Sequence, residues 1–244
     1  MKKLIVSGCS YTAKEFLSSA YPDLDTSWPK WPELLGKKLN MKVVNLAFEG
    51  AGNRFILQTL LEAIERTSKD KIGLVIAAWS QSNRDDWQYF SDYKIHPQAP
   101  DNFKWSNNRI GRPGDVFSWV KESLLGFITL QNVCKRYNIP YKQFQMIGLF
   151  EPWIKGLERV MKDQLAGLPR YEYKGNKEEH RKVLKALVKD YEQFIDTNNF
   201  LLDTIEVPLA HSLNDMIHRI SKIDEHPNEQ GQQKLAKIIY EKLG

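Results

Sequence analysis

Short apolar runs recur along the first third of the chain, and each ends in a cluster of small or polar residues. Leu4-Ile5-Val6-Ser7 leads into Gly8-Cys9-Ser10-Tyr11-Thr12, Met41 through Ala47 into Phe48-Glu49-Gly50-Ala51-Gly52-Asn53, and Ile72 through Ala78 into Trp79-Ser80-Gln81-Ser82-Asn83-Arg84. Brief runs rich in β-branched residues and bounded by turn formers read as buried strands. Between them the spacing becomes helical. Trp31, Leu34, Leu35 and Leu39 recur behind a proline-rich start and stop at Asn40, while Ile56, Leu57, Leu60, Leu61 and Ile64 follow Asn53, which is placed to cap them. Strands that alternate with helices call for βαβ crossovers and a mostly parallel, doubly wound sheet, with all three turns opening on one edge.

Beyond Asp85 the pattern loosens into a polar and aromatic segment punctuated by Pro97, Pro100, Gly111, Pro113 and Gly114. A loop this long inside a compact domain reads as a lid or as an insertion packed on the body. Its aromatics Trp87, Tyr89, Phe90, Tyr93, Phe103 and Trp105 argue against disorder. Asp115 to Tyr137 reads as a long helix and Ile139 to Met146 as a fourth strand. Glu151 to Gln164 and Glu178 to Ile195 read as helices around a turn-rich stretch from Gly167 to Lys177. A final helix carries the stripe Leu235, Ile238, Ile239 and Leu243 and is capped by Asn228. Because the closing elements return to the opening pattern, 1–244 reads as one α/β domain in which 85–222 carries the lid-like loop and a largely helical insertion. A separate helical subdomain is the alternative.

Composition narrows the function classes. A chain of 244 residues, 42% hydrophobic and 27% charged, is globular and near the size where a single core stops growing. The net charge of +5 is dispersed, with no basic tail, so no nucleic-acid partner is expected. No stretch approaches the roughly 18 apolar residues of a membrane span. The apolar run after Met1-Lys2-Lys3 is too short for a signal peptide, so a cytoplasmic location is expected. Cys9 and Cys134 suggest neither a zinc site nor a disulfide framework, and His96, His180, His211 and His218 lack metal-ligand spacing. Neither metal nor cofactor is expected.

The candidate chemistry lies at the two ends of the chain. Ser10 follows the first strand, where residues emerge into the ligand crevice of an open α/β sheet. Asp224 and His226, two residues apart in an extended segment, point the same way just before the last helix. Singly, each has a plain structural reading: a Gly-x-Ser turn after a strand, a capped Asp-x-His-Pro turn before a helix. Together they supply a hydroxyl nucleophile, a base that titrates near neutrality and a carboxylate to orient it, the parts of acyl-transfer chemistry. The N–H groups of Ser10 and Gly50 are candidates to hold an oxyanion. Asn53, Ser80 and Arg84 are candidates to bind substrate, with a surface ion pair the plainer reading of Arg84. Cys9 is the alternative nucleophile, but its side chain alternates to the opposite face from Ser10.

Gly8-Cys9-Ser10-Tyr11, the turn from Asn45 to Asn53, and Asp224-Glu225-His226-Pro227-Asn228 together resemble the blocks of the SGNH (GDSL-type) hydrolase superfamily. The matched blocks cover about a fifth of the chain and bracket nearly all of it. The Gly-Cys-Ser-aromatic-Thr form is similar to SGNH-like proteins of bacteriophages. The resemblance implies a flavodoxin-like three-layer α/β/α fold that hydrolyses acetyl or acyl esters, often on sugars or lipids, without metal or cofactor. It makes Ser10 the nucleophile, His226 the base, Asp224 its partner and Gly50 an oxyanion donor. Two blocks depart from the pattern. Trp79-Ser80-Gln81-Ser82 stands where the family has Gly-x-Asn-Asp, so the amide donor falls to Gln81, with Asn83 as a substitute; losing such a donor costs on the order of 3 kcal/mol. Asp-x-His stands in place of Asp-x-x-His, with Glu225 a weaker candidate acid.

The expected function is therefore a serine hydrolase acting on a small-molecule or glycan ester. A module that keeps the pocket but has lost efficient catalysis is the alternative, and an acyltransferase using the same triad is another.

Overall fold

Alternation along the strands sets the layers. In β1 (Lys3–Ser7), Leu4 and Val6 are buried against one face and Ile5 against the other. In β3 (Ile72–Trp79), Leu74, Ile76 and Ala78 share the face of Leu4, while Val75, Ala77 and Trp79 share that of Ile5. A strand apolar on both sides must be covered on both sides. One face is covered by α1 (Trp31–Leu39) and α5 (Glu229–Glu241), through Trp31, Leu35, Leu235, Ala236 and Ile239. The other is covered by α2 (Asn53–Arg66), α3 (Val116–Arg136) and α4 (Lys177–Glu192), through Ile56, Leu60, Leu124, Phe127, Leu184 and Val188. The computed structural model describes residues 1–84, 86–90, 103–106, 116–152, 154, 177–202 and 204–243.

The central sheet runs β2-β1-β3-β6, where β2 is Lys42–Asn45 and β6 is Tyr141–Gln145, and its three strand pairs are all parallel. From β1 the chain moves outward through α1 to β2, then crosses back through α2, on the opposite face, to β3. The order reverses between β1 and β3, which puts the ligand crevice at the carboxyl ends of those two strands. The α/β/α architecture and the mostly parallel sheet expected from the sequence are those observed. At the outer edge of β6, Leu201 N–H donates to the Gln143 carbonyl at 2.9 Å, so the chain after α4 returns to the sheet.

The predicted elements shift by a few residues. Asn40 ends α1 in the left-handed conformation, φ 52° and ψ 45°, and Asn228 caps α5 by accepting from Gly231 N–H. The fourth strand is shorter than Ile139 to Met146, and α4 stops at Glu192, ahead of the buried Ile195. Asn53 does not cap α2. Gly52 is the capping residue and Asn53 the first helical one, because its side chain is drawn to Ser80 and Ser123. Within the segment read as a loop, β4 (Trp87–Phe90) and β5 (Phe103–Ser106) pair antiparallel. The rest of that segment, most of the helix expected from Glu151 to Gln164, and the turns from Gly167 to 176 lie outside the described residues. Among the described residues, no helix is long and apolar enough to cross a membrane.

Candidate active site

After β1 the backbone tightens into a helical turn, in which Cys9 C=O accepts from Thr12 N–H at 2.8 Å and from Ala13 N–H at 3.0 Å. The first N–H groups of such a turn have no intrahelical partner, and among the described residues nothing takes the Ser10 N–H. Cys9 is wholly buried in the core with Leu4, Val6 and Trp31. Ser10 Oγ lies 2.8 Å from His226 Nε2, across 216 positions of sequence.

The other ring nitrogen of His226, Nδ1, lies 2.6 Å from Asp224 Oδ1, and the same oxygen accepts the His226 backbone N–H at 3.0 Å. Asp224 is therefore an Asx-type turn residue and a ring partner at once, which makes the Asp-x-His spacing workable. An ionised carboxylate only accepts, so in the neutral ring Nδ1 carries the proton and Nε2 turns its lone pair to the Ser10 hydroxyl. Burial of Asp224 opposes ionisation, but hydrogen bonds from Ser18, from the His226 backbone and from its ring outweigh it and hold the carboxyl below its usual range. Glu225 turns outward to Arg219, 3.2 Å away, and does not compete for the ring.

Two aromatic rings hold the imidazole. Tyr11 lies 4.7 Å and Phe16 4.4 Å from it, centroid to centroid. The Tyr11 hydroxyl donates to Glu225 C=O at 3.2 Å, tying the Ser10 turn to the histidine loop. Burial, ahead of the nearby Cys9 and Glu225, raises the phenol, so it remains a neutral donor. Ser18, in the same loop as Phe16, donates to Asp224 Oδ2.

The candidate oxyanion side is stitched to the Ser10 turn by Phe48 N–H, which donates to Gly8 C=O at 3.1 Å. Gly50 sits in this second turn at φ 74°, a conformation that disfavours any side chain. Behind it, Asp86 accepts from Gly52 N–H at 2.7 Å and from Phe55 N–H at 2.9 Å, capping α2 from outside its own segment. A Cβ on Gly52 would lie 2.6 Å from Asp86 Oδ2 and 2.9 Å from Arg84 C=O, so only glycine lets the carboxylate approach.

The register Ser7↔Ala77 brings the turn after β3 alongside the Ser10 turn. Gln81 is partly exposed there. Asn53 and Ser80, expected from the sequence to contact substrate, are bonded to each other. Asn53 spends both amide hydrogens on Ser80 C=O and Ser123 Oγ, each at 3.0 Å, and accepts the Ser80 N–H, while Ser80 is wholly buried. They lock α2 to the β3 turn. Arg84 directs Nη1 to Ala51 C=O at 3.0 Å and braces the Gly50 turn.

Sequence reading missed Ser18, Phe16 and Asp86. Ser18 and Phe16 lie in an aperiodic polar loop and Asp86 in a segment with no helical or strand period, so none carried a signal. Among the described residues, no three His, Cys, Asp or Glu side chains gather as a metal site.

No family model matches the chain, and no curated protein matches it. Among solved structures it is similar to a protein assigned to the lipolytic G-D-S-L family from Desulfitobacterium hafniense, with 14% identity, 99% of each chain covered and a TM-score of 0.48. It is also similar to a psychrotrophic esterase from Pseudoalteromonas sp., with 13% identity, 100% of this chain and 97% of that one covered, and a TM-score of 0.47. A member of the lipolytic G-D-S-L family from Veillonella parvula gives 15% identity, 99% and 97% coverage and a TM-score of 0.44.

Proposed function

We propose that this chain is a serine hydrolase of ester bonds that works through an acyl-enzyme, with Ser10 as nucleophile, His226 as base and Asp224 as its orienting acid. The observation that carries the reading is the unbroken chain Ser10 Oγ to His226 Nε2 at 2.8 Å and His226 Nδ1 to Asp224 Oδ1 at 2.6 Å. Serine is a weak nucleophile until a base takes its proton, and the Asp224 contact at Nδ1 favours the tautomer whose Nε2 can accept it. The Ser10 oxygen adds to the carbonyl carbon as its proton passes to Nε2, and Asp224 stabilises the imidazolium. Ser10 N–H, Gly50 N–H and the Gln81 amide are the proposed donors to the oxyanion. Collapse returns the proton from His226 to the departing alcohol and leaves the acyl group on Ser10. Water, deprotonated by the same nitrogen, then releases the acid and restores the serine. The substrate class is a small-molecule or glycan ester with an acetyl or other acyl group.

The test is a fluorophosphonate probe applied to the native protein and to Ser10→Ala. Labelling of the native protein that disappears in the variant supports the reading. Absence of labelling in both overturns it, and labelling that persists in the variant moves the nucleophile elsewhere. Product analysis with added acceptor alcohols separates hydrolysis from acyl transfer.

A further inference from the structure

We propose that Ser18 is a positioning residue of this site, a fourth member of the chain Ser10–His226–Asp224 that fixes the orientation of the Asp224 carboxylate. The proposal rests on the reading of Ser10 as nucleophile. Asp224 offers two oxygens, and Oδ1 is occupied by the backbone and ring N–H groups of His226. Oδ2 receives the Ser18 hydroxyl. Ser18 is 2% and Asp224 6% exposed, so solvent has little access to replace this bond. Nor is the hydroxyl free to turn away. Tyr21 N–H donates to Ser18 Oγ at 3.0 Å, which occupies a lone pair and leaves the O–H to point at the carboxylate.

The loop that carries Ser18 is itself held in place. Thr26 Oγ1 donates to Phe16 C=O, and the buried Lys30 ammonium donates to the carbonyls of Thr26 and Trp28. The same loop thus presents Phe16 to the face of His226 and Ser18 to the far side of Asp224. A carboxylate held at both oxygens keeps its acceptor lone pair aimed at Nδ1 and stays ionised in a buried place. Released at Oδ2, it can rotate about its Cβ–Cγ bond or take up a proton.

A turn-capping serine would have only the Tyr21 contact to lose, so the experiment must read the ring and the pH dependence as well as stability. The rate of fluorophosphonate labelling is measured against pH for the native protein, Ser18→Ala and Ser18→Thr, and the His226 Nδ1–H resonance is followed by proton NMR in each. Loss of a hydrogen bond to a charged group predicts labelling roughly tenfold to a hundredfold slower in Ser18→Ala. The acid side of the labelling profile should shift from that of the native protein, the Nδ1–H signal should broaden or vanish, and Ser18→Thr should restore all three. Native rate, native pH profile and an unchanged Nδ1–H signal in Ser18→Ala overturn the proposal, as does a slowing that only tracks the fraction unfolded. If the native protein does not label at all, the hydrolase reading fails, and the NMR comparison still decides whether Ser18 holds the Asp224–His226 pair. Should Ser18→Ala not fold, Ser18→Cys, a near-isostere with a weak donor, is read in the same way.

Discussion

A single oxygen, Asp224 Oδ1, accepts both the backbone N–H of His226 at 3.0 Å and its ring Nδ1–H at 2.6 Å. The backbone bond fixes where the carboxylate stands, and the ring bond fixes which nitrogen faces Ser10. Asp224→Asn keeps the size but not the charge, and an amide turned the wrong way would donate to Nδ1 and reverse the tautomer. Fluorophosphonate labelling of this variant should be slower by roughly 10³–10⁴-fold.

The same substitution has a pH signature in stability. The folded-state pKa of Asp224 is lowered, so its ionised form contributes stability that is present above the unfolded-state pKa and lost as pH falls through the folded one. The difference in unfolding free energy between the native protein and Asp224→Asn should therefore be constant near neutrality. Below the ordinary carboxylate range, about pH 4, it should shrink. Denaturant unfolding of both proteins at several acidic pH values checks this, and a gap independent of pH would mean that folding does not shift the Asp224 carboxyl.

The sheet and its layers were legible because they are written in periodicity. Leu4, Ile5 and Val6 are apolar on both faces of one strand, and Asn40 and Asn228 stand where helices end and begin. Ser10 and the Asp224–His226 pair were legible because strand ends and helix starts are where such folds present side chains. Ser18, Phe16 and Asp86 were not, since each acts through one long-range contact from an irregular segment. Asn53 was misread for a related reason: a capping residue and a cross-linking residue look alike until Ser80, 27 positions away, is in place.

The amide of Gln81 is the one proposed oxyanion donor that is a side chain. If it reaches the oxyanion, Gln81→Ala should lower the labelling rate about a hundredfold, an effect on the order of 3 kcal/mol, with little change in melting temperature because the residue is partly exposed. Gln81→Asn, whose arm is shorter by one methylene, should fall between. An unaltered rate in Gln81→Ala would leave the oxyanion to backbone N–H groups.

The aromatic clamp separates packing from hydrogen bonding. Phe16 is 4% exposed and lies 4.4 Å from the imidazole, so Phe16→Ala should cost about 3–5 kcal/mol of stability and also slow labelling by freeing the ring. Tyr11→Phe keeps the ring against His226 and loses only the bond to Glu225 C=O, so it should cost about 1 kcal/mol. Thermal unfolding and labelling of the two variants should rank in that order; equal effects would mean that the hydroxyl, not the ring, holds the histidine.

Asp86 and Gly52 form one device for setting the Gly50 turn. The carboxylate caps α2 through the N–H groups of Gly52 and Phe55, and the missing side chain of Gly52 makes its approach possible. Asp86→Ala should cost about 1–2 kcal/mol as a lost helix cap. Gly52→Ala should push the carboxylate away by its 2.6 Å clash and so destroy the same contact. Because both variants remove one interaction, the double variant should be less destabilised than the sum of the singles, by a coupling of roughly 0.5–3 kcal/mol. Urea unfolding of the four proteins measures the coupling. Additive effects would mean that Asp86 holds the turn through its other contacts, whereas strong coupling together with slow labelling in both singles ties this cap to the Gly50 N–H.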